Sequence, residues 1–126
     1  MQIGSMLAVA TGGALGSVAR YGVTQWVLDW TGPSVWGTFA VNISGAFILG
    51  LIAGVTELRL NMDPVLRTGL TIGVLGGYTT FSTLMYESTR QLETRALWQA
   101  GMNLGGSVLV GLGAMILGLA IGRASG

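Results

Sequence analysis

Four long apolar segments, separated by short polar stretches, make up almost the whole chain. They cover residues 3–28, 33–55, 65–86 and 96–121. Each segment exceeds the roughly 20 residues that a helix needs to cross a hydrocarbon core about 30 Å thick. Pro33 and Pro64 are expected at first helical positions, and Asp63 is expected to cap the helix that Pro64 opens. The pattern predicts a single all-α domain, residues 1–126, with four membrane-spanning helices.

The third apolar segment is interrupted at its midpoint by a polar stretch, residues 76–83, with the sequence Gly-Gly-Tyr-Thr-Thr-Phe-Ser-Thr. Two adjacent glycines weaken a helix by roughly 1 kcal/mol each, and four hydroxyl residues follow them almost at once. Irregular backbone at membrane depth survives only where protein, water or an ion satisfies its polar groups. The broken third helix is therefore a candidate ion or substrate site.

The composition supports a membrane protein. Hydrophobic residues make up 51% of the chain and charged residues 9%, and the mean hydropathy is +0.67. A soluble domain carries about a quarter charged residues. The chain has no Cys and no His, which excludes disulfides, thiol chemistry and the usual transition-metal sites.

The six arginines are divided evenly between the two sides of the predicted bundle. With four spans, both termini and the 57–67 loop share one side, which holds Arg59, Arg67 and Arg123. The other side holds Arg90 and Arg95, with Arg20 leaning toward it. This balance gives the positive-inside rule no preferred orientation. Either the chain inserts both ways up and pairs antiparallel, or a weaker determinant sets its orientation.

Small and polar residues recur at helical spacing inside the spans. Thr38 and Asn42 share one face of the second span, and Asn103 and Ser107 share one face of the fourth. An amide in lipid is costly unless it is paired, so these stripes should face protein or water. They are either interhelical hydrogen bonds or an ion pathway, and the broken helix favours the pathway. Glycines at four-residue spacing, such as Gly12 with Gly16, are interpreted as close helix packing.

Two charged residues are ambiguous from their positions alone. Arg20 is the only basic residue within a span, where it either lines a cavity or reaches the headgroups from a helix end. Glu87 follows the polar interruption and is either a cation or proton site near a pore mouth or a solvated helix end. The sequence does not test whether the two residues pair.

The polar interruption closely resembles the signature of the Fluc (CrcB) fluoride channels. Residues 12–21 resemble the first-helix motif of that family and residues 37–42 resemble its second, so the resemblance covers the whole chain. It implies a small dual-topology protein of the inner (plasma) membrane that forms an antiparallel homodimer and is not an enzyme. Each dimer is expected to contain two fluoride pores and one structural sodium ion at the two-fold axis.

The resemblance also implies roles for individual residues. The backbone carbonyls of Gly76 and Thr79 would bind sodium, and carbonyl oxygens suit such a hard cation. Fluoride would meet the ring edge of Phe81, the amide of Asn42 and the hydroxyl of Ser107. The other residues implied for the fluoride pathway are Thr38, Thr80, Asn103, Arg20 and Glu87. Passive export of fluoride from the cell is the expected activity.

One position departs from the family pattern, because Leu84 stands where a second phenylalanine is usual and a leucine presents no ring edge. Two other functions remain as alternatives. Small dual-topology drug exporters exchange protons for cations at a carboxylate buried in mid-helix, and here Glu87 lies near a span end. A non-transporting membrane subunit would use the polar stripes only to hold its helices together.

Overall fold

The computed structural model describes residues 2–58 and 61–125, and Arg59, one of the arginines counted above, lies outside them. Its helices are α1 (Ile3–Thr31), α2 (Trp36–Leu58), α3 (Pro64–Thr68), a π-helix (Gly69–Leu75), α4 (Gly76–Tyr78), α5 (Phe81–Glu93) and α6 (Leu97–Ala124). The described residues contain no strand, and the predicted all-α class is confirmed. The third predicted span corresponds to α3, the π-helix, α4 and α5 in succession.

The two prolines differ in their relation to the helices that follow them. Pro64 is the first residue of α3, and the carboxylate of Asp63 accepts a hydrogen bond from the Leu66 amide at 2.9 Å, so the predicted cap is confirmed. The expectation for Pro33 is wrong, because α2 begins only at Trp36. Gly32 ends α1 with a positive φ of 74°. Residues 33–35 then turn the chain back before α2 begins.

The third span is broken at its midpoint, but its glycines do not break it. Gly76 and Gly77 are helical, and the chain leaves the helical conformation at Thr79 (φ −87°, ψ 155°) and Thr80 (φ −148°, ψ 112°), here called the break. A Cβ on Gly77 would lie 2.7 Å from the carbonyl oxygen of Gly13, so this glycine serves close packing against α1. The expectation that the glycine pair weakens the helix at this point is therefore wrong about the cause.

The helices pack as two pairs, α1 with the third span and α2 with α6. The members of each pair are parallel, because alternate spans run in the same direction. The glycine-spaced faces meet as predicted: Gly12 and Gly16 approach the backbone of the π-helix and α4, and Gly50 and Gly54 approach that of α6. At one end of the second pair, Arg123 donates to Glu57 at 2.7 Å. The same interpretation for Gly101 and Gly105 is wrong within the described part of the chain, because a Cβ added to either would meet no neighbouring helix there within 4 Å.

Within the residues that the structure describes, two helices are both long enough and apolar enough to cross a membrane. They are α2 over Trp36–Glu57, with a mean hydropathy of 1.9, and α6, with 2.2. Only 6% of the most apolar stretch of α6 is buried inside the chain. This helix therefore presents a long apolar surface to lipid or to another protein.

Candidate functional site

One cavity of about 410 Å³ lies between α2, the broken third span and α6, and most of the predicted site residues meet there. Those residues are Asn42, Gly76, Thr79, Thr80, Phe81 and Ser107. They come from three separate segments of the chain, and the break lies at the centre of the group. The structure therefore brings together the amide, hydroxyl, aromatic and carbonyl groups that the sequence only suggested. We call this space the break cavity.

Asn42, on the neighbouring helix α2, makes two hydrogen bonds to the backbone of the break, here called the Asn42 clamp. Its side-chain Oδ1 accepts from the Thr80 amide at 2.7 Å, and its Nδ2 donates to the Thr80 carbonyl at 3.0 Å. The primary amide thus pairs with both main-chain groups of one residue in the break, as a neighbouring strand would. One N–H of Asn42 remains for another acceptor, because the Nδ2 atom carries two hydrogens.

The clamp also explains which carbonyls the break releases. In an unbroken α-helix the Thr80 amide would bond the Gly76 carbonyl, and the Thr83 amide would bond the Thr79 carbonyl. Here the Thr80 amide bonds Asn42, and the Thr83 amide donates to Thr80 Oγ1 at 3.3 Å. Gly76 and Thr79 both line the break cavity. Their oxygens lose their helical partners and are available to a ligand.

Phe81 and Ser107 contribute an exposed aromatic ring and a hydroxyl without a hydrogen-bond partner among the described residues to the break cavity. Phe81 begins α5 and is 74% exposed in the single chain, so its ring is not part of a packed core. The Ser107 hydroxyl is buried and has no hydrogen-bond partner within the part of the chain that is described. Leu84 lines the same cavity and is buried, which leaves one aromatic ring in the set.

Thr38 and Glu87 form a separate polar pair between α2 and α5. The Thr38 hydroxyl donates to Glu87 Oε1, and Thr38 is buried. The other carboxylate oxygen of Glu87 is also buried and lacks a partner among the described residues. Neither residue lines the break cavity. The pair joins α2 to the third span on the far side of the break from α4.

Asn103 and Ser107, which the sequence placed on one stripe, open into different cavities. Asn103 donates to the Ser88 hydroxyl at 3.3 Å, and Ser88 in turn donates to the Leu84 carbonyl at 2.8 Å. Asn103 also lines a second cavity of about 390 Å³, together with Gln91 and Trp36. The contact to Ser88 is an interhelical hydrogen bond, and the place of Asn103 on the pathway stays a prediction.

Arg20 lies apart from both cavities. It is half-buried, and the salt bridges found among residues 2–58 and 61–125 join other residues. The helices α1 and α5 are not in contact within those residues, so Arg20 and Glu87 do not pair in a single chain.

Sequence reasoning missed one residue near the site. Ser44 lies two positions after Asn42 on α2, and its hydroxyl is 2.9 Å from the hydroxyl of Tyr78. The only signal in the sequence is a polar residue next to Gly45 within an apolar span.

The comparison with known families agrees with the resemblance in the sequence. A family model described as CrcB-like protein, Camphor Resistance (CrcB), matches residues 7–119. The chain belongs to the CrcB family. The matched residues include the second and third spans in full, most of the first and the fourth, the break and every candidate site residue. As a CrcB protein it is an integral membrane protein, in agreement with the apolar surfaces of α2 and α6.

Several curated relatives share most of the length of this CrcB chain. A fluoride-specific ion channel FluC of Geotalea daltonii is 50% identical over 112 residues, which cover 88% of this chain and 90% of the relative. One from Agrobacterium fabrum is 44% identical, with 91% and 93% covered. One from Nitrobacter winogradskyi is 41% identical, with 94% of each chain covered.

Proposed function

We propose that this chain is a passive fluoride channel whose pathway includes the break cavity. The observation that carries the proposal is the donor set of the cavity: the Ser107 hydroxyl, unpartnered among the described residues, the remaining amide hydrogen of Asn42 and the ring edge of Phe81. All three are uncharged. The names of the similar FluC proteins support the same ion.

This donor set suits the transport of a small, strongly hydrated anion. Conduction requires binding that is favourable enough for entry and weak enough for exit. Hydroxyl and amide donors replace part of the water shell, and the positive edge of an aromatic ring can face an anion. Fixed cationic side chains in the cavity would hold fluoride too strongly. Fluoride that enters a cell as the weak acid HF would dissociate inside and leave through such a pore in the plasma membrane.

A second copy of the chain, inserted in the opposite direction, would complete the pathway. Phe81 is largely exposed, and the rest of the chain leaves much of the apolar surface of α6 without cover. The even division of the arginines gives neither orientation an advantage. We propose an antiparallel homodimer with two pores, in which the exposed faces of α5 and α6 meet the partner.

The oxygens released at the break fit a structural sodium ion. The carbonyls of Gly76 and Thr79 are hard, uncharged oxygen ligands, and the hydrogen bonds of Asn42 and Thr80 leave them without helical partners. In an antiparallel dimer the two breaks would supply these carbonyls from both subunits. The ion would add a fixed positive charge between the two breaks and hold their backbones in place.

Fluoride efflux from vesicles reconstituted with the purified protein tests the proposed function. Efflux should occur without a proton gradient, at rates far above those of protein-free vesicles, with a potassium ionophore present to relieve charge build-up. Cation export that requires a proton gradient would instead identify an exporter. The absence of both fluxes would leave a non-transporting subunit. Either of the last two results would contradict the channel.

Removal of sodium tests the cation site independently of the residues in the fluoride pathway. When sodium on both sides is replaced by a large organic cation, fluoride efflux should fall at least about tenfold, because the break carbonyls lose their shared ligand. The measurement is initial efflux rate against sodium concentration, with lithium and potassium as comparisons. Equal rates in sodium and in the organic cation would contradict a bound sodium ion.

A further inference from the structure

Tyr78, the last residue of α4, is held on α2 by its hydroxyl group. Its hydroxyl lies 2.9 Å from Ser44 Oγ. Ser44 has one hydrogen to donate, and its Oγ is 2.7 Å from the carbonyl of Ala40, one turn earlier on α2. Because that contact takes the serine proton, the Tyr78 hydroxyl is the donor and Ser44 the acceptor.

The ring of Tyr78 is held at the same place by an independent contact. A Cβ on Gly45 would lie 3.2 Å from Cδ2 of the Tyr78 ring and would also overlap the side-chain methyl of Thr79. Glycine at position 45 therefore leaves a notch that the ring and the first residue of the break occupy together. Ser44 and Gly45 thus form a dock on α2, which fixes the hydroxyl and one edge of the same side chain.

The dock lies next to the break, whose backbone carbonyl at Thr79 is a proposed sodium ligand. Tyr78 directly precedes Thr79, where the chain leaves the helical conformation. The peptide unit between Tyr78 and Thr79 is the last in α4. The position of Tyr78 therefore limits the direction in which the carbonyl of Thr79 points. A broken helix lacks some of the i to i−4 hydrogen bonds that would otherwise fix this geometry.

α2 holds the third span at three successive places. Tyr78 meets Ser44 before the break, Thr80 meets Asn42 within it, and Glu87 meets Thr38 after it. Asn42 belongs to the proposed fluoride pathway and Thr38 is expected on it from the family resemblance, whereas the first link touches no proposed fluoride ligand.

We propose that the Tyr78 dock on Ser44 and Gly45 is a positioning device that sets the backbone geometry of the break and thereby the rate and anion selectivity of the pore. The inference rests on the proposed channel function. The Tyr78 hydroxyl acts through the backbone of Thr79 and does not contact the permeating ion. The ring alone would fill the notch, so the hydrogen bond supplies the remaining constraint on its position.

A double-mutant cycle on this hydrogen bond tests the proposal. Tyr78→Phe and Ser44→Ala each remove one partner with little change in volume, and the double variant removes both. Thr56→Ala is the matched control, because Thr56 is also a buried hydroxyl residue of α2 whose hydroxyl donates to the Ala53 carbonyl of its own helix. Each variant is reconstituted at a low protein-to-lipid ratio, where vesicles hold one channel or none.

The readout separates positioning from folding. The fraction of vesicles that release fluoride reports how many channels are assembled, whereas the release rate of the active vesicles reports the pore itself. The rate should fall roughly two- to tenfold in each single variant, the range that one hydrogen bond supports. The double variant should be no slower than the slower single variant, and the ratio of chloride to fluoride flux should rise. The active fraction should stay as in the wild type, and Thr56→Ala should match the wild type in all three quantities.

Three results would overturn the proposal. They are an unchanged rate and selectivity in Tyr78→Phe and Ser44→Ala, a loss confined to the active fraction, and additive effects in the double variant. A wild-type protein without fluoride flux would instead overturn the proposed function, so the two failures are distinguishable.

Discussion

Replacement of Phe81 by isoleucine is expected to abolish fluoride efflux while the protein stays folded and dimeric. Phe81 lines the break cavity and is 74% exposed in the single chain, so the loss of its ring opens no cavity in the packed core of that chain. Isoleucine retains an apolar side chain but has no ring edge with partial positive charge. The expected result is therefore a loss of conduction without a comparable loss of stability.

The matched control for this variant is Tyr86→Ile. Tyr86 lies on the same helix, is also largely exposed, and lines neither cavity. Its replacement should leave efflux close to that of the wild type. Size-exclusion chromatography in detergent should show the same oligomer for both variants. Fluoride efflux that persists in Phe81→Ile at the wild-type rate would contradict the role given to the ring.

The four-span architecture could be predicted from the sequence because it depends on local quantities. Segment length, hydropathy and the spacing of small residues are all visible in the chain, and the glycine faces of α1 and α2 meet their partners as predicted. The predicted start of α2 is too early because Gly32, with its positive φ, and the residues after it form a turn rather than a helical end. Turn geometry of this kind depends on a few dihedral angles rather than on periodicity.

The location of the break could be predicted, but its cause could not. Glycine propensity points to Gly76 and Gly77, whereas both are helical and the chain opens at Thr79 and Thr80. The decisive contact joins Asn42 to Thr80, 38 positions apart in the chain. A pattern within one span contains no information on which neighbour supplies that partner. Local helix propensity is routinely overridden by such tertiary contacts.

The polar stripe of the fourth span shows a second limit. Positions four residues apart share a helix face, but they differ by about 40° in direction and about 6 Å in height. This offset is enough for Ser107 to open into the break cavity and for Asn103 to bond Ser88 and line the second cavity. Which cavity each residue meets depends on how α5 packs against α6, and that packing has no signature in the sequence.

Replacement of Asn42 by leucine should remove both fluoride conduction and part of the stability of the fold. The variant keeps the branched shape of the side chain but leaves the amide and the carbonyl of Thr80 without their partners at 2.7 and 3.0 Å. Unpaired buried groups cost roughly 1–3 kcal/mol each, so the free energy of unfolding should fall by about 2–4 kcal/mol. The loss of the Asn42 amide donor and of the two hydrogen bonds that hold the break should also prevent fluoride from passing through the break cavity.

Asn42→Asp separates the two roles of this residue. Aspartate retains an acceptor for the Thr80 amide, and in its protonated form it can also donate to the Thr80 carbonyl, so thermal unfolding in detergent at acidic pH should show a smaller loss of stability than in Asn42→Leu. The loss of the spare amide hydrogen, together with the negative charge of the ionised form at neutral pH, should nevertheless prevent fluoride from entering the cavity. Both variants should therefore lack efflux while their unfolding temperatures differ, with Asn42→Leu the lower. Normal efflux in either variant would show that the pathway avoids Asn42, and equal stability of Asn42→Leu and the wild type would show that the clamp does not hold the break.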